Sequence, residues 1–117
     1  MSYEYLATPF KHEDKSVQNI RYWQAVNIAA RLWKEGRPVF TPIGHTYEIA
    51  FRAGLKGGFF DHYQEFDTAM IDGSKGIIVA MMDGWEISEG INAEIGIALG
   101  MEKPIVYLDI DAWTFSE

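Results

Sequence analysis

Two continuous apolar runs, Gly76-Ile-Ile-Val-Ala-Met-Met82 and Pro104-Ile-Val-Tyr-Leu108, constrain this chain most. Neither alternates with polar residues, so each reads as a strand covered on both faces. Between them Ser88 is a natural N-cap, Ile91, Ile95, Ala98 and Leu99 recur at helical spacing, and Gly100 is the expected stop. Strand, loop, helix and strand make one βαβ unit. The odd residue on its helix is Glu94, which projects about 60° from Ile91, between the directions of Ala98 and Met101. The helix thus aims a carboxylate at its own apolar side. An unpaired buried charge is strongly unfavourable, so Glu94 is either paired or lines a cavity.

The rest of the chain repeats this alternation. Tyr3 to Ala7 reads as a strand ending at Thr8-Pro9, and Phe10 to Lys15 as a polar loop. Ser16 is placed to cap a helix from Val17 to Glu35, with Ile20, Trp23, Val26, Ala30 and Trp33 as its apolar stripe and Gly36 and Pro38 ending it. Val39 to Thr41 is the second strand, closed by Pro42. Glycines interrupt any period between Ile43 and Phe60; Tyr47 to Ala53 is expected to form a short helix and Gly54 to Phe60 a mobile loop. His62 to Ile71 reads as helix, and Asp72-Gly-Ser-Lys-Gly76 as the turn into the third strand. Asp109 to Glu117 is expected to supply an edge strand or a tail.

Alternating strands and helices imply an α/β fold: a doubly wound, flavodoxin- or Rossmann-like parallel sheet of four to five strands, with helices on both faces. Right-handed crossovers suggest the order 2-1-3-4. A chain of 117 residues supports a single domain over 1–117. In such sheets ligands bind outside the carboxyl ends of the strands, at the switch point between strands 1 and 3. That gathers Tyr5, Thr8, Pro9, Asp83, Gly84, Ser88 and the first turns of Glu94's helix at one crevice, with His45 at the same end of the sheet.

Several function classes fall away. No Cys is present, so a disulfide framework, a thiolate nucleophile and Cys-based zinc sites are excluded, and the three histidines show no metal-ligand spacing. A formal charge of −7 without a Lys/Arg cluster argues against a nucleic-acid partner. No apolar run approaches a membrane span and no signal segment opens the chain, so a cytoplasmic protein without a membrane partner is expected. Strand 1 runs into Ala-Thr-Pro-Phe-Lys, neither GxGxxG nor a P-loop, and no GxSxG elbow occurs. What remains is a carboxylate-rich crevice with aromatics: Glu94, Asp67, Asp83, Tyr5 and Trp85.

Tyr5-Leu-Ala-Thr-Pro-Phe10, the Pro42 ending of strand 2, and Ser88-x-Gly90-x-x-x-Glu94-Ile-Gly-x-Ala98 followed by Lys103-Pro104 resemble the nucleoside 2-deoxyribosyltransferase superfamily, which includes the deoxynucleoside 5′-monophosphate N-glycosidases. The resemblance implies that Glu94 is the nucleophile attacking the sugar anomeric carbon. It implies that Asp67, on the helix before strand 3, serves the leaving base, and that Tyr5 positions the glutamate. The crevice at the switch point, together with the Ser88-x-Gly90 block, makes Thr8, Pro9, His45, Asp83, Gly84, Trp85, Ser88 and Gly90 the candidate substrate-binding residues, and no cofactor or metal is expected. A serine at position 88 resembles the monophosphate hydrolases and an aspartate there the transferases, so Ser88 favours a 5′-phosphate. The chain departs from both groups in Asp83-Gly-Trp-Glu before the block and in Thr-Pro where the hydrolases carry Gly-Ser.

The chemistry suits these residue types. Cleaving a deoxyribosyl N–C bond passes through an oxocarbenium-like state that a carboxylate stabilises or traps, while a second acid protonates the base. A Ser hydroxyl beside free N–H groups at a helix start suits a 5′-phosphate. Blander roles exist for each residue: Glu94 as a structural carboxylate bonded to Tyr5, Asp67 as a solvated helix residue, Ser88 as a plain cap, His45 as a bystander. Two functions therefore stand open, an N-glycosidase or transferase and a non-catalytic module binding a nucleotide-like ligand. The apolar residues Trp33, Phe51, Phe59 and Phe60 suggest a homo-oligomer, a dimer or tetramer.

Overall fold

The chain runs β1 (Glu4–Ala7), α1 (Lys15–Lys34), β2 (Val39–Phe40), α2 (Pro42–Ala53), α3 (Phe59–Gly73), β3 (Ile77–Ala80), a 3-10 turn (Trp85–Ile87), α4 (Glu89–Gly100), β4 (Ile105–Asp109) and β5 (Thr114–Ser116). The computed structural model describes residues 2–55 and 59–117, with the backbone alone over 59–62. Among the described residues the strands form one sheet in the order β2-β1-β3-β4-β5. Every pairing is parallel except that of the edge strand β5 with β4. This is the doubly wound α/β arrangement expected from the alternating pattern.

The pleat explains the unbroken apolar runs. Leu6, Val39, Ile78, Ala80 and Leu108 face one way and pack against Ile28, Ala29 and Leu32 of α1. Their chain neighbours Tyr5, Ala7, Phe40, Ile77, Val79 and Tyr107 face the other way, toward Ile71 of α3 and Ile91 and Ala98 of α4. Both faces are covered, so alternation with polar residues is lost. No helix of the described residues is long and apolar enough to cross a membrane.

Several local expectations are corrected. Asp14, not Ser16, caps α1: its carboxylate accepts from the Ser16 backbone N–H at 2.8 Å. The expected stripe on α1 is also displaced. Ile20, Trp23 and Trp33 are more than half exposed, and the buried face carries Ala25, Ile28, Ala29 and Leu32 instead. Small residues on that face let the helix approach the sheet, while the Trp33 indole N–H reaches out to the Val39 carbonyl at 3.0 Å. Pro42 closes β2 but also opens α2, since the first helical turn needs no N–H from it. Thr41 caps that turn by accepting from the Gly44 N–H at 3.2 Å, so His45 sits on a helix and not in a loop.

Two further boundaries shift. α3 begins at Phe59, three residues before the expected start, and the central part of the expected Gly54–Phe60 loop lies outside the described residues. Gly100 is helical, and the left-handed residue after α4 is Glu102, with φ of 56°. Gly36, with φ of 82°, does end α1. A contact not anticipated locks the edge: Arg37 donates to both carboxylate oxygens of buried Glu4, at 2.6 and 2.9 Å, and lies over the Phe115 ring of β5.

Gly76, just before β3, packs closely against Pro104 at the start of β4. A Cβ there would lie 2.9 Å from both Cγ and the carbonyl oxygen of Pro104, and that carbonyl is held by the Ile77 N–H at 3.0 Å. Gly76→Ala is therefore expected to lower the unfolding free energy by about 1–3 kcal/mol, as overpacking of a fixed backbone does. Urea denaturation measures it; an unchanged midpoint would mean that the 103–105 segment yields freely.

Candidate active site

Tyr5 is fully buried on the face of the sheet that α3 and α4 cover. Asp67 lies four residues before buried Ile71 on α3, and Glu94 lies between buried Ile91 and Ala98 on α4. Residues three and four apart share a helix face, so each helix turns its carboxyl group toward the same strand. The Tyr5 hydroxyl donates to Oε2 of Glu94. Asp67 lies against that same hydroxyl. One phenol from β1 thus joins two acids from two helices.

Burial dominates the electrostatics of this trio. It raises Glu94 to about 8; the Tyr5 bond pulls the other way and the Asp67 charge adds to the rise. Glu94 as a whole residue keeps some exposure, so the desolvated part is its carboxyl end. Burial also lifts Asp67 to about 6 against the opposing pull of Tyr5. Tyr5 stays protonated far above the usual phenol range, through burial first and then the charges of Glu94 and Asp67. Between about pH 6 and 8 the two acids therefore hold one proton between them. A paired acid and base sharing a proton near neutrality is a common catalytic arrangement.

A stability prediction follows from the sign of these shifts. Both acids bind protons more tightly folded than unfolded, so the folded state is favoured at low pH and loses that advantage as pH rises through about 6 and about 8. The urea midpoint is expected to fall between pH 5 and pH 8, and Glu94→Gln to flatten most of the fall. A wild-type midpoint that rises over this range would mean that Glu94 is already ionised at neutral pH.

Two polar atoms here are buried without a hydrogen-bond partner, Oδ1 of Asp67 and Oγ1 of Thr8. Aromatic rings flank the acids. Phe40 lies 5.8 Å from the Tyr5 ring, and His45, exposed on the first turn of α2, stacks on Phe66 at 5.6 Å and tilts toward Phe40 at 5.7 Å. A wall of rings thus runs from the buried phenol to the surface. Phe40 and Phe66 were missed in the sequence, although Phe66 directly precedes Asp67.

The remaining candidates lie on the segments that follow β1 and β3, and none hydrogen-bonds either carboxyl. Thr8 and Pro9 are buried at the end of β1. Ser88 caps α4, its Oγ accepting from the Ile91 N–H at 3.2 Å, with Gly90 in the first turn. The Asp83 side chain is exposed, and Trp85 leans on Tyr107 of β4 at 5.6 Å. Arg21, also missed in the sequence, links the two segments by donating to the carbonyls of Lys11 at 3.0 Å and Asp83 at 3.3 Å. Gly84, with φ of 84°, lies close beneath that guanidinium, where a Cβ would come within 2.7 Å of Nη2. Surface depressions along α1, one bounded by Ala30, Arg31, Lys34 and Glu35, open away from α3 and α4 and gather no such acid pair.

A family model described as a domain of unknown function, DUF1937, matches residues 2–110, nearly the whole chain. The chain belongs to the DUF1937 family. No curated protein matches it. The matched span contains every strand but β5, and it includes Tyr5, Asp67 and Glu94. In this DUF1937 domain the acid pair lies within the matched span, and β5 closes the sheet edge outside it.

Proposed function

We propose that this protein cleaves or transfers the N-glycosidic bond of a deoxynucleoside or its 5′-monophosphate. The observation that carries this reading is the pair of acids, Glu94 and Asp67, from two helices meeting at one buried phenol, with burial raising both carboxyls. Glu94 in its ionised form attacks the anomeric carbon, and Asp67 in its protonated form serves the departing base. The stacked rings of His45 and Phe66, joined through Phe40 to Tyr5, suit a planar heterocycle, which stacks on such faces. The Ser88 hydroxyl and the first N–H groups of α4 suit the 5′-phosphate.

The test is incubation of the pure protein with a panel of deoxynucleosides and their monophosphates, with and without a free acceptor base. Release of base marks a hydrolase and exchange of base a transferase. Binding without turnover supports the second reading, a module that senses a nucleotide-like ligand. One feature favours that alternative: burial raises the Glu94 carboxyl well above the usual range, toward the neutral form a structural carboxyl would hold.

The proposal extends to assembly. Trp33 and Phe51 are 54% and 78% exposed, while the side chains of Phe59 and Phe60 lie outside the described residues. Exposed large apolar groups of this kind are covered in symmetric oligomers. A dimeric or tetrameric mass by light scattering at micromolar concentration is expected, and a monomeric mass would remove the claim.

A further inference from the structure

Resting on the reading above, the geometry points to a role for Tyr5 beyond holding Glu94: its hydroxyl carries a proton from Glu94 to Asp67, ionising the nucleophile and charging the acid in one event. Three features of the fold support this. The phenol is fully buried, so water does not compete for its proton. Its hydroxyl donates to Glu94 of α4 and lies against Asp67 of α3, so it touches carboxyls that come from different helices. Asp67 also keeps a second oxygen, Oδ1, buried and without a hydrogen-bond partner, free to face a substrate.

The transfer balances without a co-reactant. With Glu94 protonated, the Tyr5 O–H turns to Asp67. The Glu94 carboxyl then gives its proton to the Tyr5 oxygen as the Tyr5 O–H passes its own proton to the Asp67 carboxylate, which leaves the hydroxyl donating to Glu94. Tyrosine is neutral before and after, and no net charge moves except from Asp67 to Glu94. Glu94 then forms a C–O bond to the anomeric carbon. The C–N bond pair leaves with the base, which takes the proton held by Asp67. Without transfer the free protein rests the wrong way round, because Glu94 binds the shared proton more tightly than Asp67 does. The titratable groups facing the relay are Glu94 from α4 and Asp67 from α3, with Tyr63 one turn before Asp67.

Two measurements test it, one of them independent of turnover. In proton NMR the buried Tyr5 hydroxyl is expected to give a low-field resonance that is absent in Tyr5→Phe. The relay requires that Glu94→Gln and Asp67→Asn each shift it; a shift with Glu94→Gln alone would reduce Tyr5 to a positioning residue. In the kinetic arm, Tyr5→Phe should slow release of an unactivated base at least ~100-fold more than release of an activated leaving group such as 4-nitrophenol, since general acid help is generally worth about 10²–10⁴-fold. Equal losses for both leaving groups would overturn the relay while leaving the glycosidase reading intact. Absence of base release from any substrate by the wild-type protein overturns that reading, and the relay's part in catalysis with it, whatever the resonance shows.

Discussion

Glu94→Gln should release base roughly 10³-fold or more slowly than the wild-type protein, as loss of a covalent nucleophile does. The amide keeps the size of the side chain and still accepts from the Tyr5 hydroxyl, but it cannot form the glycosyl ester. Ligand affinity should change far less than turnover, because the lost interaction belongs to the transition state. The same variant should be about as stable as the wild type at pH 4, where the carboxyl is protonated both folded and unfolded, and more stable at pH 8, where only the unfolded wild type ionises freely. Rates of base release, ligand titration and urea midpoints at the two pH values are the measurements. A lower midpoint at both pH values, with activity per folded molecule intact, would make Glu94 structural and move the conclusion to a binding module.

Asp67→Asn should separate substrates by their leaving groups. For an ordinary base the loss is expected at about 10²–10⁴-fold, the usual worth of a general acid. For a base that leaves already protonated the loss should be within tenfold or so, since no acid help is needed. The substitution should also act on its neighbour. The Asp67 charge helps hold the Glu94 carboxyl up, so its removal lowers the pH at which Glu94 ionises. The high-pH part of the stability profile would then move toward lower pH. Equal losses for activated and ordinary bases would remove Asp67 from the role of acid and leave it as part of the pocket's electrostatics.

The two acids differ in how readable they were. Glu94 stood out because it interrupts an apolar face of a strongly periodic helix, and burial of a carboxylate demands an explanation. Asp67 carries no such mark: α3 is rich in polar residues, and only the resemblance to a known family singled Asp67 out. The error on α1 has a related origin. Periodicity shows which residues share a helix face, but Trp23 and Ala25 are both apolar, and the choice between them depends on how closely the helix approaches the sheet. That distance is a tertiary quantity.

Local chemistry determined the alternation of strands and helices, the cap at Ser88 and the inward direction of Glu94, since each follows from side-chain period and short-range hydrogen bonding, and the handedness of crossovers then set the order of the parallel strands. Only the tertiary structure decided that Tyr5, Asp67 and Glu94 meet at one hydroxyl, that Phe40, His45 and Phe66 form a wall beside them, and that Arg21 ties together the segments after β1 and β3. Tyr5, Asp67 and Glu94 are separated by tens of positions in the chain. No local preference brings them together: the folded sheet sets their separation and removes water from between them, and that desolvation shifts the acids into the range where they share a proton.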